Sequence, residues 1–282
     1  MIRLKRDRRD GCHAELRKVL GEVELPAIPA VVTEAIDRLA DPESGLKEVA
    51  AVIGRDPGLS ARLLSMVNSA VYAPRNPIVA VDRAVMMLGR NHVESLLVSL
   101  AASRAVNEVA TPAFDLAAFW ATASWRAATA SEVSQRVDRD RRAENFTASL
   151  LLDVAVPVIV RCRPQYEEVL RRWREGAGRL EELERELFGF THRTVTAWMF
   201  EEWGFPPSLR TAVAEEGHPE TDPVEYPVVR IVAELAAPEE VDEVVARVAE
   251  LLDRVFGLGV DECQDLILRA RDTSASLARS LT

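Results

Sequence analysis

Apolar residues recur along nearly the whole chain with helical rather than alternating spacing. Val31, Ile36 and Leu39 form one such set, Leu46, Val49, Val52 and Ile53 a second, and Leu63, Leu64 and Val67 a third. No segment alternates as a half-buried strand would, so the chain is expected to be all-α. The breaks carry helix-end chemistry. In DPESGLKEV, Gly45 is placed as an N-cap with Glu48 three residues on; in RDPGLSARLL, Asp56 is the cap and Pro57 the first helical residue. The segment NEVATPAFD, with Pro112, interrupts the pattern before Phe119 and Trp120 open another helix, and the loop EEGHPETDPVEYP, with its three prolines, precedes a last helical stretch from about Val224. No repeat at a fixed period is evident.

Composition narrows the class. At 282 residues, 48% apolar and 28% charged, the chain has the balance of a folded globular protein and the length for two lobes. The net charge of -10 repels polyphosphate over the surface as a whole, so nucleic acid is an unfavoured partner. Asp153 and Arg161 interrupt the most apolar run, so no membrane span is expected. The basic start MIRLKRDRRD has no apolar core behind it, as a secretory signal would, and the expected location is cytoplasmic. Cys12, Cys162 and Cys263 lie far apart, form no CxxC pair and read as reduced thiols.

One residue stands out chemically. Asp153 lies inside ASLLLDVAVPVIV, and an ionised carboxylate buried there without partners is costly. It is expected to bond a backbone amide or a nearby Arg across a helix interface.

Three stretches together resemble the HDOD family of bacterial signalling domains, relatives of the HD phosphohydrolases. They are LPAIPAVVTEAIDRLADPESGLKEVAAVIGRDPGLSARLLSMVNSAVY, the following VDRAVMMLGRNHVESLL, and ELFGFTHRTVTAWMFEEWGFP. The most specific block is DPGLSARLLSMVNSAVY, where Asp56, Pro57, Leu59, Arg62, Leu63, Asn68, Ser69 and Tyr72 fall on the family pattern. The resemblance runs from Leu25 to about Pro219 and more loosely through the tail. It implies a basic extension (1–22), an N-terminal helical bundle (23–112), a degenerate HD-like helical lobe (113–220) packed against it, and C-terminal helices (221–282) packing on that lobe.

The resemblance also bears on Asp153. In catalytic HD proteins a His-Asp pair of metal ligands occupies the position of Leu152 and Asp153, with another His earlier. Here Leu152 stands in place of the first His, and Thr122 falls where the earlier ligand would be, in a helix without His. One carboxylate does not hold a catalytic metal, so no metal and no cofactor are expected. Glu215, Glu216 and His218 resemble a ligand cluster in composition only and read as a solvated acidic turn; His192 reads as a packing or capping residue.

No nucleophile elbow and no Gly-rich phosphate loop are present. Phe119 with Trp120, and Trp198 with Trp203, sit among apolar and acidic residues and read as core. LKEVAAVIGRDPGLSARLLSMVN has a helix-turn-helix outline, but its second helix offers Ser60, Arg62 and Ser65 among leucines rather than a basic cluster. The basic arm Arg3 to Arg9, diluted by Asp7 and Asp10, reads as a solvated terminus.

The expectation is a non-catalytic signalling protein that works by binding. The resemblance implies a sensor kinase or a cyclic-dinucleotide enzyme as partner; a homodimer stays open. The runner-up is a metal-dependent phosphohydrolase with an altered ligand set, and the third reading is a DNA-binding regulator. The candidate binding face lies at the seam between lobes: Asn68 and Ser69, Arg75 and Asn76 in the PRNP loop, and Arg90 and Asn91 after Gly89. A guanidinium and several amides there would suit a carboxylate or phosphate on a protein or small nucleotide, although each is also ordinary turn or helix-end chemistry.

Overall fold

The structure, a computed structural model, describes residues 17–19, 21, 24–112, 114–215, 217, 219–236 and 241–282. The arm Arg3 to Arg9, Cys12, Glu216 and His218 lie outside the described residues, among which there is no strand. The order is α1 (Ala30–Ala40), α2 (Leu46–Ile53), α3 (Pro57–Val67), α4 (Val81–Val109), α5 (Leu116–Val137), α6 (Arg142–Leu151), α7 (Ala155–Cys162), α8 (Tyr166–Arg174), α9 (Leu180–Phe188), α10 (His192–Glu202), α11 (Pro207–Ala214), α12 (Pro227–Val232), a 3₁₀ turn (Ala233–Ala236), α13 (Val241–Phe256) and α14 (Val260–Leu281).

The caps follow the sequence. Asp56 accepts from the Leu59 amide at 2.9 Å with Pro57 in the first turn, and Asp115 accepts from the Ala118 amide at 2.9 Å to start α5 after the Pro112 break. Gly45 is the N-cap of α2 without a side-chain bond, and the Glu48 carboxylate turns instead to Arg38 at 2.8 Å. Gly89 interrupts α4 with φ 73° and ψ 174°, so Val81–Val109 is two helical segments meeting at a kink that a residue without Cβ accepts most readily.

The buried face of each amphipathic helix closes on a shared core. One cluster runs without a break from Ile53, Leu63, Met66 and Leu97 through Trp120 and Leu151 to Phe200, so the Pro112 break interrupts the chain but not the core. Trp120 is fully buried, with its indole N–H donating to Asn107 at 2.8 Å; Trp203 donates to the Pro26 carbonyl at 3.0 Å. A second cluster joins Trp125 of α5 to α12, α13 and α14. Its last helix reaches beyond this cluster. Beyond the HD-like part, Leu277 and Leu281 of α14 re-enter the first cluster, Asn107 donates to the Leu281 carbonyl at 2.6 Å, and Ser276 accepts from the Ala70 amide at 3.0 Å. The last helix therefore straps the N-terminal bundle as well.

The run Arg142–Cys162, 21 residues with an 18-residue window of mean hydropathy 1.5, is long and apolar enough by length and composition to cross a membrane, so Asp153 and Arg161 do not shorten it below that length. In the fold 89% of its apolar window is buried, and the turn carrying Asp153 divides it into α6 and α7.

Candidate functional site

Asp153 sits on the turn between α6 and α7, where the preceding Leu152 carbonyl accepts from Thr196 of α10 at 3.2 Å and fixes the turn against that helix. Facing it from α5 is Arg126, whose Nη1 donates to Asp153 Oδ2 at 2.6 Å. From the first position of α10, His192 Nε2 lies 3.1 Å from Asp153 Oδ1. The other ring nitrogen, Nδ1, is 2.8 Å from Oε2 of Glu184, a fully buried acid of α9. Glu184 also accepts from the His192 amide at 3.0 Å and from the Tyr166 hydroxyl. The result is one buried chain, Arg126, Asp153, His192, Glu184 and Tyr166, drawn from five places in the sequence.

Local structure explains the placement. Thr191 caps α10, its hydroxyl accepting from the Thr194 amide at 3.2 Å, which sets His192 in the first turn. Gly189 ends α9 at φ 76°, a left-handed conformation that reverses the chain and brings Glu184 back beside His192.

Electrostatics then fix the protonation states. Burial pushes the Asp153 carboxyl up, but Arg126 and then His192 outweigh it and hold it well below the usual carboxylate range. Burial pushes the His192 imidazole down, yet Glu184 and Asp153 raise it to about 10, so the ring is an imidazolium donating from both nitrogens. Burial and the Glu184 carboxylate push the Tyr166 hydroxyl well up, keeping it a neutral donor. Arg126 and His192 against Asp153 and Glu184 give a balanced set of buried charges.

These residues do not fit a metal. Both His192 ring nitrogens are taken up by carboxylates, and the Asp153 oxygens face the Arg126 guanidinium and the His192 ring. Among the described residues there is no group of three or more His, Cys, Asp or Glu arranged to hold an ion. Thr122 is half-buried on α5, one turn before Arg126, and Leu152 is fully buried in the core. Glu215 is a structural acceptor for the amides that open α12, taking the Tyr226 amide at 2.8 Å.

Of the two alternatives for Asp153, an Arg across a helix interface is the one found. His192 departs from its reading as a packing or capping residue, since it bridges two carboxylates. Arg126 and Glu184 were missed. A usable signal for Arg126 existed, a lone cation within ASWRAATAS that mirrors the lone acid in the α6–α7 run; Glu184, one of several acids in an amphipathic helix, offered none.

The candidate binding face is not presented as one surface. Asn68 donates to the Leu64 and Ile78 carbonyls, each at 2.8 Å, and accepts from the Ile78 amide at 2.8 Å. Ser69 is buried, in a turn next to Tyr72, whose ring packs edge-on against Phe146 of α6. Arg90 gives its donors to the carbonyls of Arg38, Leu39, Asp41 and Ser44, closing the C-terminus of α1. Arg75, Asn76 and Asn91 are exposed. Near Arg75 and Asn76 in sequence stand three large exposed apolar side chains, Val79 (81%), Met86 (55%) and Met87 (51%).

The sequence profile of the HDOD domain matches residues 25–219. No curated protein sequence matches the chain. Among solved structures, a protein from Shewanella amazonensis described as a candidate phosphohydrolase is 23% identical, with a TM-score of 0.73 over 95% of this chain and 98% of its own. An HDOD domain protein of unknown function from Geobacter sulfurreducens is 22% identical, with a TM-score of 0.70 over 97% and 96%. A candidate signal transduction protein from Marinobacter aquaeolei is 19% identical, with a TM-score of 0.70 over 97% of this chain and 66% of its own. These likenesses show a shared all-α fold.

Proposed function

Because this chain belongs to the HDOD family, we propose that it is a non-catalytic regulatory protein of bacterial signal transduction that acts by binding a partner protein. The observation that carries this reading is the 2.6 Å pair between Arg126 and Asp153: the carboxylate that a metal would need is neutralised by the protein's own cation. A buried guanidinium–carboxylate pair with an imidazolium on its far side supports the packing of α5, α6, α7 and α10, and offers neither an open coordination position nor an activated water.

The partner is a signalling enzyme, a sensor kinase or a cyclic-dinucleotide enzyme, and it meets the exposed residues Arg75 and Asn76, kept from the six first singled out, together with Val79, Met86 and Met87. Large exposed apolar side chains, close in sequence to an exposed guanidinium and an exposed amide, have the residue types of an interface centre with a polar rim.

The test is hydrolysis. Purified protein with Mg²⁺ or Mn²⁺ is assayed against phosphomonoesters, phosphodiesters and cyclic dinucleotides, and no turnover is expected. Turnover that disappears in Asp153→Asn would make the protein a phosphohydrolase.

A further inference from the structure

Around the start of α4 the chain reads VAVDRAVM, from Val79 to Met86, and its polarity is symmetric about the bond between Asp82 and Arg83. Outward on either side come a charged residue, two apolar residues and then Val79 or Met86. Exposure follows the same symmetry. Val79, Asp82, Arg83 and Met86 are exposed, while Ala80 and Val81 are half-buried and Ala84 and Val85 are buried. On the first turns of α4 the three- and four-residue spacings set Asp82 and Arg83 beside Met86, with Met87 next to them, on the side opposite Ala84 and Val85. The two charges are not used within the chain. Among the described residues neither the Asp82 carboxylate nor the Arg83 guanidinium makes a hydrogen bond or an ion pair, whereas the exposed Arg38, Arg55, Arg104 and Arg171 each hold a carboxylate.

A face with this pattern is complementary to itself. A two-fold axis passing between Asp82 and Arg83 sets each acid against the base of a second copy and each Val79 against that copy's Met86, in one antiparallel crossing. A parallel alignment sets acid against acid and base against base. We propose that this face pairs two copies of the chain, with two Asp82–Arg83 ion pairs across the axis flanked by two Val79–Met86 contacts and by Met87. Exposed ion pairs give register more than affinity, and three apolar side chains per copy are few for a permanent dimer, so the association is reversible and set by concentration. The inference rests on reading this face as an interface and adds its regulation: a second copy covers Val79, Met86 and Met87 until the signalling enzyme takes its place.

The experiment follows the full chain alone by sedimentation velocity from roughly 5 µM to 500 µM at near-physiological salt. A mass rising from monomer toward dimer is expected. Asp82→Arg sets base against base twice across the axis and Arg83→Asp sets acid against acid twice, so each variant by itself should dimerise about tenfold more weakly or worse. Mixed in equal amounts, the two variants regain both ion pairs and should form a heterodimer with an affinity near that of the parent. Met86→Lys, at an exposed position, should weaken the dimer comparably while circular dichroism stays unchanged. A monomeric mass for the parent across the whole range overturns the proposal. So does a mixture no more dimeric than Asp82→Arg or Arg83→Asp alone, or undiminished association of a folded Met86→Lys variant. Because no other protein is present, each of these results removes the second copy and leaves the enzyme as occupant of the face; turnover in the hydrolysis assay, in contrast, removes the regulatory reading and leaves the dimer.

Discussion

His192 is held between two carboxylates, Nε2 at 3.1 Å from Asp153 and Nδ1 at 2.8 Å from Glu184, so a ring that could ligate a metal serves instead as a buried cation. That relationship ties α9 and α10 to the α6–α7 turn and makes the charged chain a unit. Removing one member strands its neighbours.

Asp153→Ala leaves Arg126 and His192 buried without their shared acceptor and should cost about 3–5 kcal/mol of unfolding free energy. The double variant Arg126→Met with Asp153→Leu removes the pair together and should cost clearly less than the sum of the single changes. Chemical denaturation of the four proteins measures the coupling. Additive losses would show that the two residues do not act as a pair.

The pH dependence follows from His192. Its folded pKa of about 10 lies above the ordinary 6.5, so its stabilising contribution is complete below about pH 6.5 and declines as the pH rises toward 10. Asp153 and Glu181 are depressed, the latter to about 2, and act on the opposite side: their contributions are present above the ordinary carboxylate range and are lost only in strong acid. Melting temperature should therefore fall between pH 7 and 10, and His192→Gln should flatten that fall while lowering stability at pH 7. A parallel pH profile in the variant would contradict the imidazolium assignment.

Arg90 and Arg75 should behave differently. Arg90→Ala removes the donor set for four carbonyls around the end of α1 and is expected to destabilise by about 1–3 kcal/mol. Arg75→Ala, at an exposed position, should stay within about 0.5 kcal/mol of the parent. Urea midpoints distinguish them directly.

Gly89→Ala tests the kink in α4. A Cβ there would meet no atom within 4 Å, so the penalty comes from the backbone at φ 73° alone, about 1–3 kcal/mol. An unchanged melting temperature would mean that the two segments of α4 straighten without cost.

Spacing and caps were sufficient to read the helices from the sequence, because a 3.6-residue period and an Asp-Pro start act within one or two turns of chain. That is why α3 begins at Pro57 and α5 follows Asp115. The block from Asp56 to Tyr72 carried the family. Asp153 was legible as an anomaly, since one acid among aliphatic residues needs a partner wherever it lies. Tertiary structure alone decided which partner. Arg126 is 27 residues away and His192 is 39 residues away, and no local rule brings three helices and a turn to one point. The same holds for Arg90, whose sequence neighbours suggest a binding-face residue or ordinary helix-end chemistry. Its carbonyl acceptors lie on another helix and the loop after it, and only packing α4 against α1 reveals that they are there.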